Sequence, residues 1–166
     1  MDIKNIVFDD EFEVEEADIC FNCGSESENL TGWNEDKYFS KLECSNCNIV
    51  SILDENTGER SVIEGDARDW ETFLQDNLVF PFEAIVDECS DREFFGRNPG
   101  PIKYKDTLIV KAVELDDDLR GIIVEVKKKG ERRKLYYQLC DLDVVDKASI
   151  NYKLVNDYRV WDANCR

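Results

Sequence analysis

The sequence predicts a mainly β protein with flanking helices, built as two modules. Three observations carry this. Two Cys-x-x-Cys pairs lie 20 residues apart near the N-terminus; downstream segments alternate apolar and polar residues; and two stretches repeat apolar residues at helical spacing. The 166 residues, 42% hydrophobic and 36% charged, suit one ordinary domain or two small ones. A module of about 50 residues rarely closes a core without a metal or disulfide staple.

Residues 1–18 read as an acidic arm containing Asp9-Asp10-Glu11 and Glu15-Glu16, with Ile3, Ile6, Val7, Phe8, Phe12 and Val14 interrupting the charge. Residues 19–53 hold the paired cysteines. Residues 54–66, beginning Asp54-Glu55-Asn56-Thr57-Gly58-Glu59, are polar and read as a linker. Residues 67–166 form the second module. A helix is expected over residues 68–76, with Trp70, Phe73 and Leu74 on one face, Asp66 or a neighbour as cap and Asn77 as stop. Residues 78–86 read as a strand in which Pro81 marks an edge or bend. Residues 88–101 read as a loop.

Three strands follow. Residues 107–113 are mostly apolar; residues 121–127 put Ile122, Val124 and Val126 on one face; residues 134–140 put Leu135, Tyr137 and Leu139 on one face. Asp116-Asp117-Asp118 and Gly130-Glu131 join them. Leu154, Tyr158 and Trp161 recur at i, i+4 and i+7, which predicts a helix over residues 151–164. The second module is then a small curved antiparallel sheet or barrel flanked by helices.

Cys20, Cys23, Cys44 and Cys47 carry the clearest chemistry. Two residues between cysteines let a tight turn aim both sulfurs at one point, and two such turns complete a tetrahedron of thiolates, which suits a structural zinc ion. Gly24 supplies the glycine such a turn often needs. A redox pair, two disulfides and an iron–sulfur cluster are the competing readings. Cys89, Cys140 and Cys165 lie outside the pattern and read as ordinary small residues.

The net charge is −17, and residues 1–66 hold 18 Asp and Glu against 4 Lys and Arg. Such a surface repels phosphate backbones and headgroups and attracts cations or basic partners. Nucleic acid is therefore disfavoured as a partner, and a protein-facing ribbon is expected. Lys127-Lys128-Lys129-Gly130-Glu131-Arg132-Arg133-Lys134 forms a basic hairpin, expected to dock the acidic arm at residues 9–16. The absence of histidine removes Ser-His-Asp and Cys-His chemistry and the usual ligands of catalytic zinc, so no enzyme is expected. Met1-Asp2-Ile3-Lys4 lacks the basic start of a leader, no apolar run approaches a membrane span, and seven cysteines suit a reduced compartment; a cytoplasmic location is expected.

Asp116, Asp117 and Asp118 offer hard oxygen ligands on a turn, but an EF-hand does not fit. From Asp116, Arg120 and Lys127 fall where carboxylates belong; from Asp141, Asp143 fits and Val145 does not. From spacing alone this is a solvated acidic turn.

The blocks Trp70-x-x-Phe-Leu74, Leu78-Val-Phe-Pro-Phe-Glu-Ala84, Leu115-Asp-Asp-Asp118 with Gly121-Ile-Ile-Val124, Leu139-Cys-Asp-Leu142 and Asn151-Tyr-Lys-Leu-Val-Asn-Asp-Tyr-Arg-Val-Trp161 resemble the cyanobacterial-type calcium-binding protein family over residues 70–164. The resemblance implies an SH3-like β-barrel and calcium at Asp116, Asp117 and Asp118, with Asp141 in reach. The four-cysteine module is an addition to that family's short members. The functional expectation is an intracellular calcium buffer or sensor with a structural zinc ribbon; the alternative is a non-enzymatic adaptor in which ribbon and barrel bind a protein.

Overall fold

The computed structural model describes residues 14–34, 37–87 and 100–165, with side chains over 18–27, 38–87 and 100–164. The chain divides into compact units, one running to Arg68 and the other spanning Asp69–Asp162. Most of the acidic arm, and with it the expected docking of residues 9–16 on the basic hairpin, lies outside the described residues. So do Cys89, most of the loop over residues 88–101 and the side chain of Cys165.

The first unit is an antiparallel meander of β1 (Val14–Ile19), β2 (Glu26–Asn34), β3 (Lys37–Glu43), β4 (Val50–Asp54) and β5 (Glu59–Glu64), in that order. Two of its hairpin tips are the cysteine turns. Ile19 faces Glu26 across the base of one, and Glu43 faces Val50 across the base of the other. The main buried cluster is small: Cys20, Cys23, Leu42, Cys44 and Ile49, with Phe21 and Cys47 packed against it, while Phe39 and Ile52 are buried elsewhere in the unit. Arg60 covers the ring of Phe21, 4.5 Å from its centroid.

The expectation of a linker over residues 54–66 is corrected: β5 occupies six of its thirteen residues and pairs with β4. Turn chemistry explains this. The Asp54 carboxylate accepts from the Asn56 amide at 2.9 Å and the Thr57 amide at 3.3 Å. Gly58, at φ 74°, donates its N–H to the Asp54 carbonyl at 2.7 Å. A polar stretch therefore closes a hairpin. Likewise residues 14–18 of the expected arm form most of β1.

The second unit begins with α1 (Trp70–Asn77). Asp69 is the cap, taking the Thr72 amide at 3.2 Å and the Thr72 hydroxyl at 2.8 Å. β6 is Phe82–Val86, shorter than the strand expected over residues 78–86. The Leu78 N–H still bonds the Leu74 carbonyl. Val79 pairs its backbone with the buried amide of Asn151, at 2.8 Å and 2.7 Å. β7 (Thr107–Asp117), β8 (Gly121–Lys128), β9 (Leu135–Gln138), a 3-10 turn (Leu139–Asp141), β10 (Leu142–Val144) and α2 (Ile150–Cys165) follow. Ile122, Val124 and Val126 are fully buried, as their alternation predicts.

The sheet order is β10-β6-β7-β8-β9. The barrel expectation is corrected: β9 and β10 lie at opposite edges, and the 3-10 turn carries the chain between them without pairing them. Its core gathers Leu108, Val110, Leu142 and Val144 from the sheet and Leu139 from the 3-10 turn with Trp70, Leu74, Leu154 and Tyr158 from the helices.

The basic hairpin mostly answers to acids of its own unit. Lys128 pairs with Asp106 at 2.8 Å, Lys129 with Glu83 at 3.0 Å and Lys134 with Glu125 at 2.7 Å. Partial burial works against the charge of Asp106, but the bonds from Lys128 and from the Lys103 amide at 2.7 Å prevail and hold its carboxyl below the usual 3.8. A depressed folded value stabilises above the unfolded value and is lost as pH falls through the folded one. Asp106→Asn should therefore cost about 1 kcal/mol at pH 7 and progressively less below about pH 4. Urea melts at pH 7 and pH 3 check this; an equal loss at both would refute it.

Candidate metal centres

Cys20, Cys23, Cys44 and Cys47 all place their sulfurs within 4.8 Å of one another. The Cys20 and Cys47 sulfurs are 3.8 Å apart, and those of Cys23 and Cys44 are 3.5 Å apart. Metal–sulfur bonds near 2.3 Å in a tetrahedron put sulfurs about 3.8 Å apart, so the donor set fits zinc.

Backbone geometry builds the site. The Cys20 N–H bonds the Ser25 carbonyl at 2.8 Å, and the Cys44 N–H bonds the Ile49 carbonyl at 3.0 Å. Gly24 and Asn48, each directly after a second cysteine, sit at φ 72° and 56°. Glycine takes that conformation freely, and asparagine tolerates it better than most residues.

Amide donors ring the sulfurs. Asn22 donates from its backbone to Cys20 at 3.4 Å and from Nδ2 to Cys47 at 3.4 Å, and Asn46 Nδ2 donates to Cys23 at 3.5 Å. Burial pushes the Cys20 and Cys44 thiols up. Burial acts the same way on Cys23, but hydrogen bonds from Asn46 and Ser25 outweigh it and bring that thiol down to about 6. Sequence reasoning missed both asparagines. The signal was present: Cys-Phe-Asn-Cys and Cys-Ser-Asn-Cys place Asn before each second cysteine.

The acidic turn lies at the β7–β8 hairpin. Asp116 and Asp118 are exposed and Asp117 is half-buried. Asp117 Oδ1 accepts the Leu119 and Arg120 amides at 3.0 Å each, which shapes the turn. Glu71 of α1 reaches it, accepting the Asp116 N–H at 2.9 Å. That carboxylate was invisible to local reading because 45 residues separate the two positions.

Asp141 has partners of its own. It is buried in the 3-10 turn at 7% exposure, where Gln138 Nε2 donates to its Oδ2 and the Cys140 thiol donates to its Oδ1 at 3.8 Å. Among the described residues, only the four cysteines bring three or more such ligand atoms within 4.8 Å of one another. Asp116, Asp117, Asp118 and Asp141 are therefore not gathered into one cage. Burial pushes the neighbouring Cys140 thiol up to about 12.

Fold and sites together define a metal-binding class of protein: a four-cysteine cluster with metal-ligand geometry on one antiparallel sheet, and a second sheet unit bearing an acidic turn. A family model described as calcium binding (Calci_bind_CcbP) matches residues 52–162, and the chain belongs to that family. The match begins within β4, upstream of residue 70, and covers the acidic turn, Glu71 and Asp141. No curated protein and no solved structure matches the chain. Among the described residues, no helix is long and apolar enough to cross a membrane.

Proposed function

We propose that this chain is a non-enzymatic cytoplasmic calcium buffer or sensor whose acidic turn takes the cation, with a structural zinc ion in the ribbon. The observation that carries the calcium reading is the family match over residues 52–162. Calcium takes six to eight oxygens, and its charge would offset the repulsion among Asp116, Asp117, Asp118 and Glu71. Asp141, already engaged by Gln138 and Cys140, is the weaker member of the expected set. The SH3-like character belongs to this reading too, as an open form with β9 and β10 at the edges. Zinc held by four thiolates has no open position, which supports a structural role. Thiols without a disulfide among the described residues fit a reduced compartment.

Calorimetry and thermal melts with calcium test the assignment. Wild type should gain about 2.7 kcal/mol at a hundredfold excess over Kd. The triple variant carrying Asp116→Asn, Asp117→Asn and Asp118→Asn should lose most of that gain, while the amide introduced by Asp117→Asn keeps an oxygen to shape the turn. A variant with undiminished binding would move the site elsewhere.

The adaptor reading keeps an observation of its own. A groove of about 480 Å³ is lined in part by Val79, Phe82, Val145 and Ile150. Val79 is 62% and Ile150 54% exposed. No heat and no melting shift at millimolar calcium would favour it.

A further inference from the structure

We propose that Asn22 is a positioning residue that joins the four-thiolate site to the backbone of residues 66–68, so that metal affinity and the order of that segment are linked. The inference rests on the zinc reading above and goes beyond it, because it ties the ribbon's metal to the last segment of its own unit.

Asn22 is 5% exposed, and its side-chain amide makes three hydrogen bonds. Nδ2 donates to Cys47 Sγ at 3.4 Å and to the Asp66 carbonyl at 3.2 Å, while Oδ1 accepts the Arg68 N–H at 2.6 Å. One side chain from the first cysteine turn thus holds a sulfur of the second turn and two backbone groups more than 40 residues away in sequence.

Asn46 occupies the matching place in the second turn. It is exposed and donates to Cys23. Symmetry of the two turns therefore does not explain Asn22. A buried aliphatic residue would fill the space but leave the Arg68 N–H and the Asp66 carbonyl without this partner.

An independent feature lays the same segment against the site. Gly65, at φ 81°, runs so close to the second turn that an added Cβ would lie 2.9 Å from the Asn48 carbonyl oxygen and 3.1 Å from the Ile49 Cα. The chain after β5 is thus pressed onto the turn carrying Cys44 and Cys47, and Asn22 fastens it one to three residues further on. A hydrogen bond to a thiolate is stronger than one to a thiol, so a metal that holds Cys47 as thiolate strengthens the Asn22 clamp. By linkage the clamp strengthens the metal site equally.

The test uses the full chain loaded with zinc. Asn22→Ala should lower zinc affinity ten- to a hundredfold, the usual cost of removing a partner of a metal ligand. It should also speed amide exchange at Arg68 at least tenfold while the β3–β4 ladder stays protected. In the cobalt(II)-substituted variant, the thiolate-to-metal charge-transfer band should move to lower energy. Asn22→Asp separates the two ends: it keeps an oxygen for the Arg68 N–H and loses the donor to Cys47. It should keep Arg68 protected and still weaken the metal. Wild-type zinc affinity and cobalt spectrum in Asn22→Ala, or unchanged Arg68 exchange, would overturn the link while leaving zinc in place. Wild-type protein that binds no zinc would overturn the zinc reading and this inference with it.

Discussion

Removing zinc from the ribbon, by a strong chelator or by Cys44→Ser, is expected to unfold the first unit and leave the second folded. Three of the five residues in the first unit's main buried cluster, Cys20, Cys23 and Cys44, are themselves proposed ligands of the metal. Leu42 and Ile49 remain of that cluster, with Phe39 and Ile52 buried elsewhere in the unit, and full burial of each is worth about 1.5–3 kcal/mol. Structural zinc in small fingers contributes about 10–16 kcal/mol, so the balance of this unit rests on the ion. The second unit has its own apolar core, drawn from both helices and the sheet. Amide exchange should show the β2–β5 ladder losing protection while the β6–β10 ladder keeps it. A first unit that stays protected without metal would show that its meander is self-sufficient.

Trp70→Ala is expected to cost about 3–5 kcal/mol in the second unit, the range for deleting a large buried aromatic. Trp70 is 3% exposed. Phe73 at 5.7 Å, Tyr158 at 5.4 Å and Trp161 at 5.5 Å surround it, so truncation opens a cavity bounded by rings from both helices. Tyr158 cannot collapse freely into the gap, because its hydroxyl accepts the Ile122 N–H at 2.8 Å and donates to Asp162 at 3.1 Å. The melting temperature should fall by more than about 10 °C. Val79→Ala, at an exposed position, should stay within about 0.5 kcal/mol. A loss below about 1 kcal/mol for Trp70→Ala would mean the helices repack around the gap.

Legibility along the chain followed the range of the interactions. The cysteine turns are local, and their spacing alone located the site. Ile122, Val124 and Val126 were readable because a strand buried on one face must alternate. The end of the strand expected over residues 78–86 was misplaced because its boundary is set by Asn151, from the far end of the unit. Residues 54–66 misled for the opposite reason. Their polarity looks like a linker, yet the information for a hairpin was there in Asp54 and Gly58.

By itself, the sequence determined the four-cysteine cluster, both helices and the strands β6 to β9 of the second unit in order, and the family. The first two depend on spacing or periodicity along the chain, and the family on a resemblance carried by short sequence blocks. Only the tertiary structure decided that the second sheet stays open, that Glu71 attends the acidic turn while Asp141 is engaged elsewhere, and that Asn22 reaches from Cys47 to Arg68. The physical reason is common to all three. Hydrogen bonds and sheet edges joining distant segments depend on where the packed elements come to rest, and composition or spacing does not encode that position locally.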